Sequence, residues 1–96
     1  SLKKSKKRQA MTLKKVQNCL QVTLEKKRFL DLSHKQLTVV PVCLQKLCDI
    51  DELNLSANEI KVIPNFIIEF KSISVLDLHS NYVSILEARR ENHFID

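Results

Sequence analysis

The chain has 96 residues, of which 44% are hydrophobic and 28% are charged, a composition typical of one small folded domain. It contains no glycine, so neither a G-x-G-x-x-G dinucleotide loop nor a P-loop can be present. No stretch approaches the roughly 20 consecutive apolar residues of a membrane-spanning helix, and the basic N-terminus lacks the apolar run of a signal peptide. We therefore expect an intracellular protein, cytoplasmic, with a nuclear location as the alternative.

The net charge of +5 is unevenly distributed along the chain. Residues 1–28 hold ten Lys or Arg and one Glu, whereas residues 29–96 hold six Lys or Arg and ten acidic residues. We interpret residues 1–10 as a basic disordered arm, suited to nucleic acid, acidic proteins or an anionic membrane surface. A solubilising tail or a localisation signal is the alternative. The basic cluster of this arm consists of Lys3, Lys4, Lys6, Lys7 and Arg8.

Residues 11–26 are predicted to form a helix followed by a hairpin. Thr12 is a suitable N-cap for the helix, and Leu13, Val16 and Leu20 are spaced to lie on one of its faces. A strand-like alternation and a polar turn come next. We interpret the region as an N-terminal cap that covers the apolar side of the segments after it.

From residue 27 onward, a pattern recurs every 23 residues. The sequence I-x-x-L-x-L-x-x-N-x-I begins at Ile50 and recurs from Ile73 with a final Val, and a partial copy begins at Leu30. The L-x-L alternation predicts short parallel strands whose leucines point into a core. The asparagines of the pattern, Asn58 and Asn81, are predicted to point inward and satisfy backbone groups of adjacent turns.

Pro41 and Pro64 are predicted to stand at the first position of helical or 3₁₀ turns on the opposite side of the molecule. The third copy of the pattern stops at Leu86, and residues 87–96 form a polar tail. Either this tail is an improvised C-terminal cap, or the natural sequence continues elsewhere. We expect the isolated chain to be unstable or to self-associate through its open last repeat.

The pattern L-x-x-L-x-L-x-x-N-x-L-x-x-I-P-x-x-I-x-x-L resembles the leucine-rich repeat family, specifically its 23-residue intracellular type. The likeness assigns about three repeats to residues 27–86. It implies an α/β solenoid fragment, with a short parallel sheet on a concave face and helical or 3₁₀ turns on a convex side. It also implies a non-enzymatic protein-interaction module without cofactor, metal or catalytic residues. Because relatives continue through further repeats, we expect the N-terminal end of such a protein, with most of the binding surface missing.

Outward-facing residues of the strands and the loops after them are predicted to bind an unknown partner protein on the concave face. The centre of this face is acidic to neutral, so a basic or hydrogen-bonding peptide is the expected guest, and a merely solvated face is the alternative. A different hypothesis is an electrostatic tether, in which the basic arm binds nucleic acid or an anionic membrane and the repeats are structural. The predicted partner-binding residues are Asp31, Ser33, His34, Glu52, Asn54, Ser56, Asp77 and His79.

Enzymatic and metal chemistry are disfavoured. Asp77, His79 and a serine share one sheet face, but an open face supplies neither an oxyanion hole nor a walled pocket. His34 and His79 lie two strands apart, which is too far to share a metal ion. The cysteines are interpreted as reduced thiols, with Cys43 half-buried; they are Cys19, Cys43 and Cys48.

Overall fold

The structure is a computed structural model and describes residues 11–47 and 49–83. In that part of the chain, a four-stranded mixed sheet lies beside short helices, which gives an α/β fold. The basic arm, Cys48 and the polar tail lie outside the described residues. The elements are α1 (Leu13–Gln17), β1 (Leu20–Val22), β2 (Arg28–Asp31), a 3₁₀ helix (Val42–Lys46), β3 (Glu52–Asn54), α2 (Asn65–Ile68) and β4 (Val75–Asp77).

Helix α1 begins as its capping residue predicts. Thr12 is extended, and its Oγ1 accepts a hydrogen bond from the Lys15 amide at 3.2 Å. The helix is shorter than predicted, however, because Leu20 already belongs to β1 and pairs with Leu30 across an antiparallel ladder. Leu20 is therefore part of the sheet, whereas the sequence predicts that it belongs to the helix face. Val16 is the buried residue of α1.

A tight hairpin connects β1 to β2. The Thr23 amide donates to the Lys27 carbonyl at 2.8 Å, and the Lys26 amide donates to the Thr23 carbonyl at 2.9 Å. Lys26 has a φ of 68°, as expected of the left-handed residue that closes a three-residue hairpin loop. The loop consists of Leu24, Glu25 and Lys26, so it begins one residue before the predicted polar turn of residues 25–27. Strand β1 is one end of the strand order β1-β2-β3-β4.

Strands β2, β3 and β4 are parallel, and each pairing joins residues 23 positions apart. Leu30, Leu53 and Leu76 occupy one row of this register, and all three are buried. The side chains immediately before and after them in each strand therefore point to the opposite face. The buried hydrophobic residues form one cluster: Val16, Leu30, Leu32, Val40, Leu44, Ile50, Leu53, Leu55, Ile60, Ile63, Ile67, Leu76 and Leu78.

Each of the two prolines lies immediately before a helical turn, whereas the sequence predicts that it is the first residue of the turn. Pro41 and Pro64 are extended N-cap residues, with ψ of 129° and 156°, and do not occupy the first helical position. Their carbonyls accept the first turn's hydrogen bonds, from the Leu44 amide at 3.2 Å and the Ile67 amide at 3.1 Å. An extended proline followed by a turn brings Leu44 and Ile67, three residues later, into the core.

Asn58 and Asn81 tie each post-strand loop to the next one. Asn58 is only 5% exposed, and its Oδ1 accepts from the amides of Lys35 and Leu37 at 2.9 and 3.0 Å. Its Nδ2 donates to the carbonyls of Leu32 and Leu55, both at 2.9 Å, and approaches a third carbonyl at 3.2 Å. Such bonds allow a polar side chain to lie among leucines without a desolvation penalty.

Asn81 repeats this arrangement one strand further on. Its Oδ1 accepts from the Ile60 amide at 2.9 Å. Its Nδ2 donates to the carbonyls of Leu55 and Leu78 at 2.8 and 3.1 Å. Lys35 occupies the equivalent place after β2, and its side chain is exposed, as expected for an ammonium group that cannot be buried there.

The residue before each of these positions has a left-handed backbone. The φ values are 56° at His34, 57° at Ala57 and 61° at Ser80, again at intervals of 23 residues. This conformation is the one that glycine adopts without penalty, and the chain has no glycine. Hydrogen bonds around the loops, including the Ala57 amide to the His79 carbonyl at 3.0 Å, hold the backbone in this state.

Candidate functional site

The outer sheet face is formed by the strand residues that flank the buried leucine row. One row of Cα partners joins Phe29, Glu52 and Val75, and a second joins Asp31, Asn54 and Asp77. None of the six is buried. The register therefore brings together four of the predicted partner-binding residues, Asp31, Glu52, Asn54 and Asp77, on three adjacent strands.

The second row makes the same local hydrogen bond in every strand. The Oδ1 atom of the side chain accepts from the backbone amide two residues later, at 3.0 Å in Asp31, 2.9 Å in Asn54 and 3.2 Å in Asp77. Asp and Asn side chains commonly bond to nearby backbone in this way where a strand gives way to a turn. The bond holds each side chain at a fixed position, and the row presents a carboxylate, an amide and a carboxylate in order.

A second partner holds each of the two carboxylates. The Ser33 hydroxyl donates to Asp31 Oδ1 at 2.6 Å, and this hydrogen bond is the largest cause of a lowered pKa of Asp31. His79 Nδ1 lies 2.6 Å from Asp77 Oδ1, and this hydrogen bond is likewise the main cause of a lowered pKa of Asp77. Both carboxylates are therefore ionised throughout the physiological pH range.

Of the remaining predicted residues, the two serines are less available for binding, whereas the two histidines are exposed. Ser56 is only 5% exposed, and its carbonyl oxygen lies 3.2 Å from Asn58 Nδ2. The Ser33 hydroxyl is engaged by Asp31. His34 and His79 are exposed, and they lie beyond the ends of β2 and β4.

The structure also shows how the residues considered for a hydrolytic or a metal site are placed. The Asp77–His79 pair is exposed on an open sheet face. Across residues 11–47 and 49–83, no group of three or more His, Cys, Asp or Glu side chains is placed to hold a metal ion. Cys19 and Cys43 are free thiols, both half-buried, and Cys43 Sγ lies 3.3 Å from the Met11 carbonyl oxygen.

One further concavity lies on the helical side of the molecule, and sequence analysis does not identify it. It has a volume of about 430 Å³ and is lined by Gln45, Leu47, Phe66, Glu69, Phe70, Lys71 and Ser72. The Phe66 and Phe70 rings lie 6.4 Å apart at an interplanar angle of 57°, a tilted aromatic contact. Phe66 belongs to α2 and Phe70 follows its end, so helical spacing alone does not predict this pair.

A comparison with models of known protein families finds no match for the chain. Among the described residues, no helix combines the length and the apolar character needed to cross a bilayer.

Proposed function

We propose that the chain is a leucine-rich repeat protein with no enzymatic activity, whose outer sheet face is a concave surface that binds a partner protein. Three features support the proposal: the 23-residue sequence period, the identical spacing of strand partners, and the equivalent bonds of Asn58 and Asn81. Each is expected when successive segments of one repeat stack side by side. Beyond the family, residues 11–86 resemble the N-terminal part of leucine-rich repeat-containing protein 18.

The single observation that carries the binding proposal is the row of Asp31, Asn54 and Asp77. Parallel strands are about 4.8 Å apart, so the two carboxylates stand roughly 10 Å apart with the amide between them. Because their own backbone already holds all three side chains, little conformational entropy is lost when a partner binds. The partner that fits is a basic segment that also donates hydrogen bonds to the central amide oxygen.

The apolar members of the first row add contact area beside these charges. Phe29 is half-buried, and Val75 is exposed at the far side of the sheet. Interfaces typically combine such apolar surface with a few fixed polar groups. A basic segment that also carries aliphatic side chains therefore matches the face better than a purely polar one.

The test replaces both carboxylates without disturbing the turns. Asn54 makes the same turn bond as the two aspartates, so the double variant Asp31→Asn, Asp77→Asn retains the local structure. The probe is a fluorescein-labelled nonapeptide of alternating lysine and valine, followed by fluorescence anisotropy at about 0.15 M salt. Loss of two exposed charge pairs is worth about 0.4–2 kcal/mol, so we expect Kd to rise roughly 2- to 30-fold.

A matched control removes the same charge from elsewhere. The variant Asp49→Asn, Glu69→Gln alters two exposed acids outside the outer sheet face. We expect it to bind the peptide as the unmodified chain does, apart from a small uniform salt-dependent loss. Equal weakening by the two double variants would show non-specific attraction and would contradict the proposal.

The electrostatic tether remains the competing proposal. The observation in its favour is that residues 11–28 contribute five cationic side chains and one acidic one, so that positive charge continues from the arm into the described residues. Deletion of residues 1–10, with binding to heparin and to the peptide measured at low and high salt, distinguishes the two. Heparin binding that is lost on deletion of the arm and at high salt, together with no peptide binding by the intact chain, would favour the tether.

A further inference from the structure

The turn between β1 and β2 exposes apolar side chains where a soluble hairpin normally has polar ones. Leu24, at the apex of the turn, is 100% exposed, and Val22, at the end of β1, is 62% exposed. We refer to residues 22–27 as the hairpin tip. Because β1 is the terminal strand of the sheet, the tip has neighbouring sheet on one side only.

Nothing in the construction of the turn calls for a leucine at its apex. The turn is held by the backbone bonds between Thr23, Lys26 and Lys27, and by the Lys27 amide donating to Thr23 Oγ1 at 3.0 Å. The Leu24 side chain has no role in these bonds. The fold of the turn therefore does not require the exposed Leu24 side chain, and backbone hydrogen bonds hold the turn that presents it.

Cationic side chains flank this apolar apex. Lys26 and Lys27 are both exposed, and Glu25 is the single acid of the hairpin tip. The charge around the tip has the same sign: residues 11–28 hold five cationic and one acidic side chain, whereas described residues 29–83 hold four and seven. The N-terminal end of the described molecule is positive, and the sheet beyond it is negative.

We propose that the hairpin tip is a contact site for an anionic lipid surface, with Leu24 entering the boundary between headgroups and acyl chains. An apolar apex with ammonium groups behind it suits such a boundary, because lysine stems extend along the apolar region while the charges remain at the phosphates. Anionic lipid attracts Lys26 and Lys27, whereas a neutral lipid surface does not. Val22 then lies at the level of the headgroups, behind the apex.

This site is separate from the outer sheet face. Leu24 precedes β2, and the proposal uses neither Asp31 nor Asp77. Failure of vesicle binding would therefore leave the peptide-binding proposal intact, and failure of peptide binding would leave this one intact.

The first test measures association of the full chain with vesicles. Phosphatidylserine and phosphatidylcholine vesicles are compared with pure phosphatidylcholine vesicles in a sedimentation assay at about 0.15 M salt. We expect Leu24→Ser to lower the partition coefficient about tenfold through lost apolar burial, and Lys26→Gln, Lys27→Gln to lower it by a similar or larger factor. The matched control Val42→Ser, at a side chain 70% exposed on the 3₁₀ helix, is expected to change it less than twofold.

The second test reports depth directly, since the chain has no tryptophan. Leu24→Trp and Val42→Trp each introduce one fluorophore at an exposed position. We expect the emission of the Leu24→Trp variant to shift to the blue on anionic vesicles and to be quenched by brominated acyl chains, with neither effect in the Val42→Trp variant. The proposal is overturned if anionic vesicles do not bind the chain, if Leu24→Ser binds as well as the unmodified chain, or if the two tryptophans respond alike.

Discussion

Replacement of Asn58 by alanine is the sharpest test of how the loops after the strands are held. The amide side chain is buried, and its two acceptor and two donor positions are all used. At about 1 kcal/mol for each hydrogen bond, the loss is about 4 kcal/mol of unfolding free energy. A chain of this size has roughly 5–14 kcal/mol in total, so this substitution removes a large share.

Asn81 provides the internal comparison. It is half-buried, its oxygen accepts from the Ile60 amide, and one of the carbonyl oxygens near its nitrogen is as far as 3.5 Å away. Water can replace part of what is lost, so Asn81→Ala is expected to cost about 2 kcal/mol. The structure thus predicts a ranking of the two variants as well as a magnitude.

Urea unfolding followed by circular dichroism measures both values. With a typical slope of about 1–3 kcal/mol/M, Asn58→Ala should lower the midpoint by about 1.3–4 M, and Asn81→Ala by about half as much. If Asn58→Ala is unfolded in water, the same ranking can be measured with an added osmolyte, which raises the stability of the whole series. A cost below about 1 kcal/mol for Asn58→Ala, or a larger cost for Asn81→Ala, would refute the reasoning.

Three further predictions concern stability. Ala57→Gly should stabilise the chain by about 0.5–1 kcal/mol, because glycine has no steric penalty at a φ of 57°; thermal unfolding measures this, and a lower Tm would contradict it. The pKa values of Asp31 and Asp77 are lowered in the folded state, so their stabilising contribution is present above the unfolded value near 3.8 and is lost as pH falls through the lower folded pKa values. The urea midpoint should thus decrease as the pH is lowered below about 4, and it should decrease less steeply in the Asp31→Asn, Asp77→Asn variant. Equally steep pH profiles for the two proteins would contradict the cause given for the pKa shifts. Leu44→Ala should cost about 2–5 kcal/mol in urea unfolding, whereas Val42→Ala, two residues away but exposed, should cost less than about 0.5; equal costs would contradict the assigned core.

The sheet register follows directly from the spacing of residues in the sequence. A period of 23 residues predicts that Leu30, Leu53 and Leu76 fall in one row, and the strand pairings place them there. Alternation along a strand then predicts that Asp31 and Asp77 lie on the other face. These features depend on spacing alone, which is why they could be predicted without any tertiary information.

Other features depend on contacts that spacing does not encode. Ser33, Ser56 and His79 occupy equivalent positions after their strands, yet of these three Ser56 alone is buried; it follows β3, between the loops after β2 and β4. A left-handed backbone conformation is usually indicated by glycine in the sequence, and this chain has none. The sequence around Ala57 therefore does not predict its positive φ. Leu24 belongs to the segment predicted to be strand-like, but β1 ends at Val22 and Leu24 lies fully exposed in the turn.

The asparagine bonds also impose an order of assembly during synthesis. Asn58 bonds back to the loop of residues 32–37, and Asn81 bonds back to residues 55–60, so each loop is completed by a side chain made some 20 residues later. At translation rates of about 5–20 residues per second, each finished loop waits roughly 1–4 s for the amide that fixes it. Asn58 and Asn81 are therefore each synthesised after the loop that they stabilise, so neither loop can be completed before the following segment has been made.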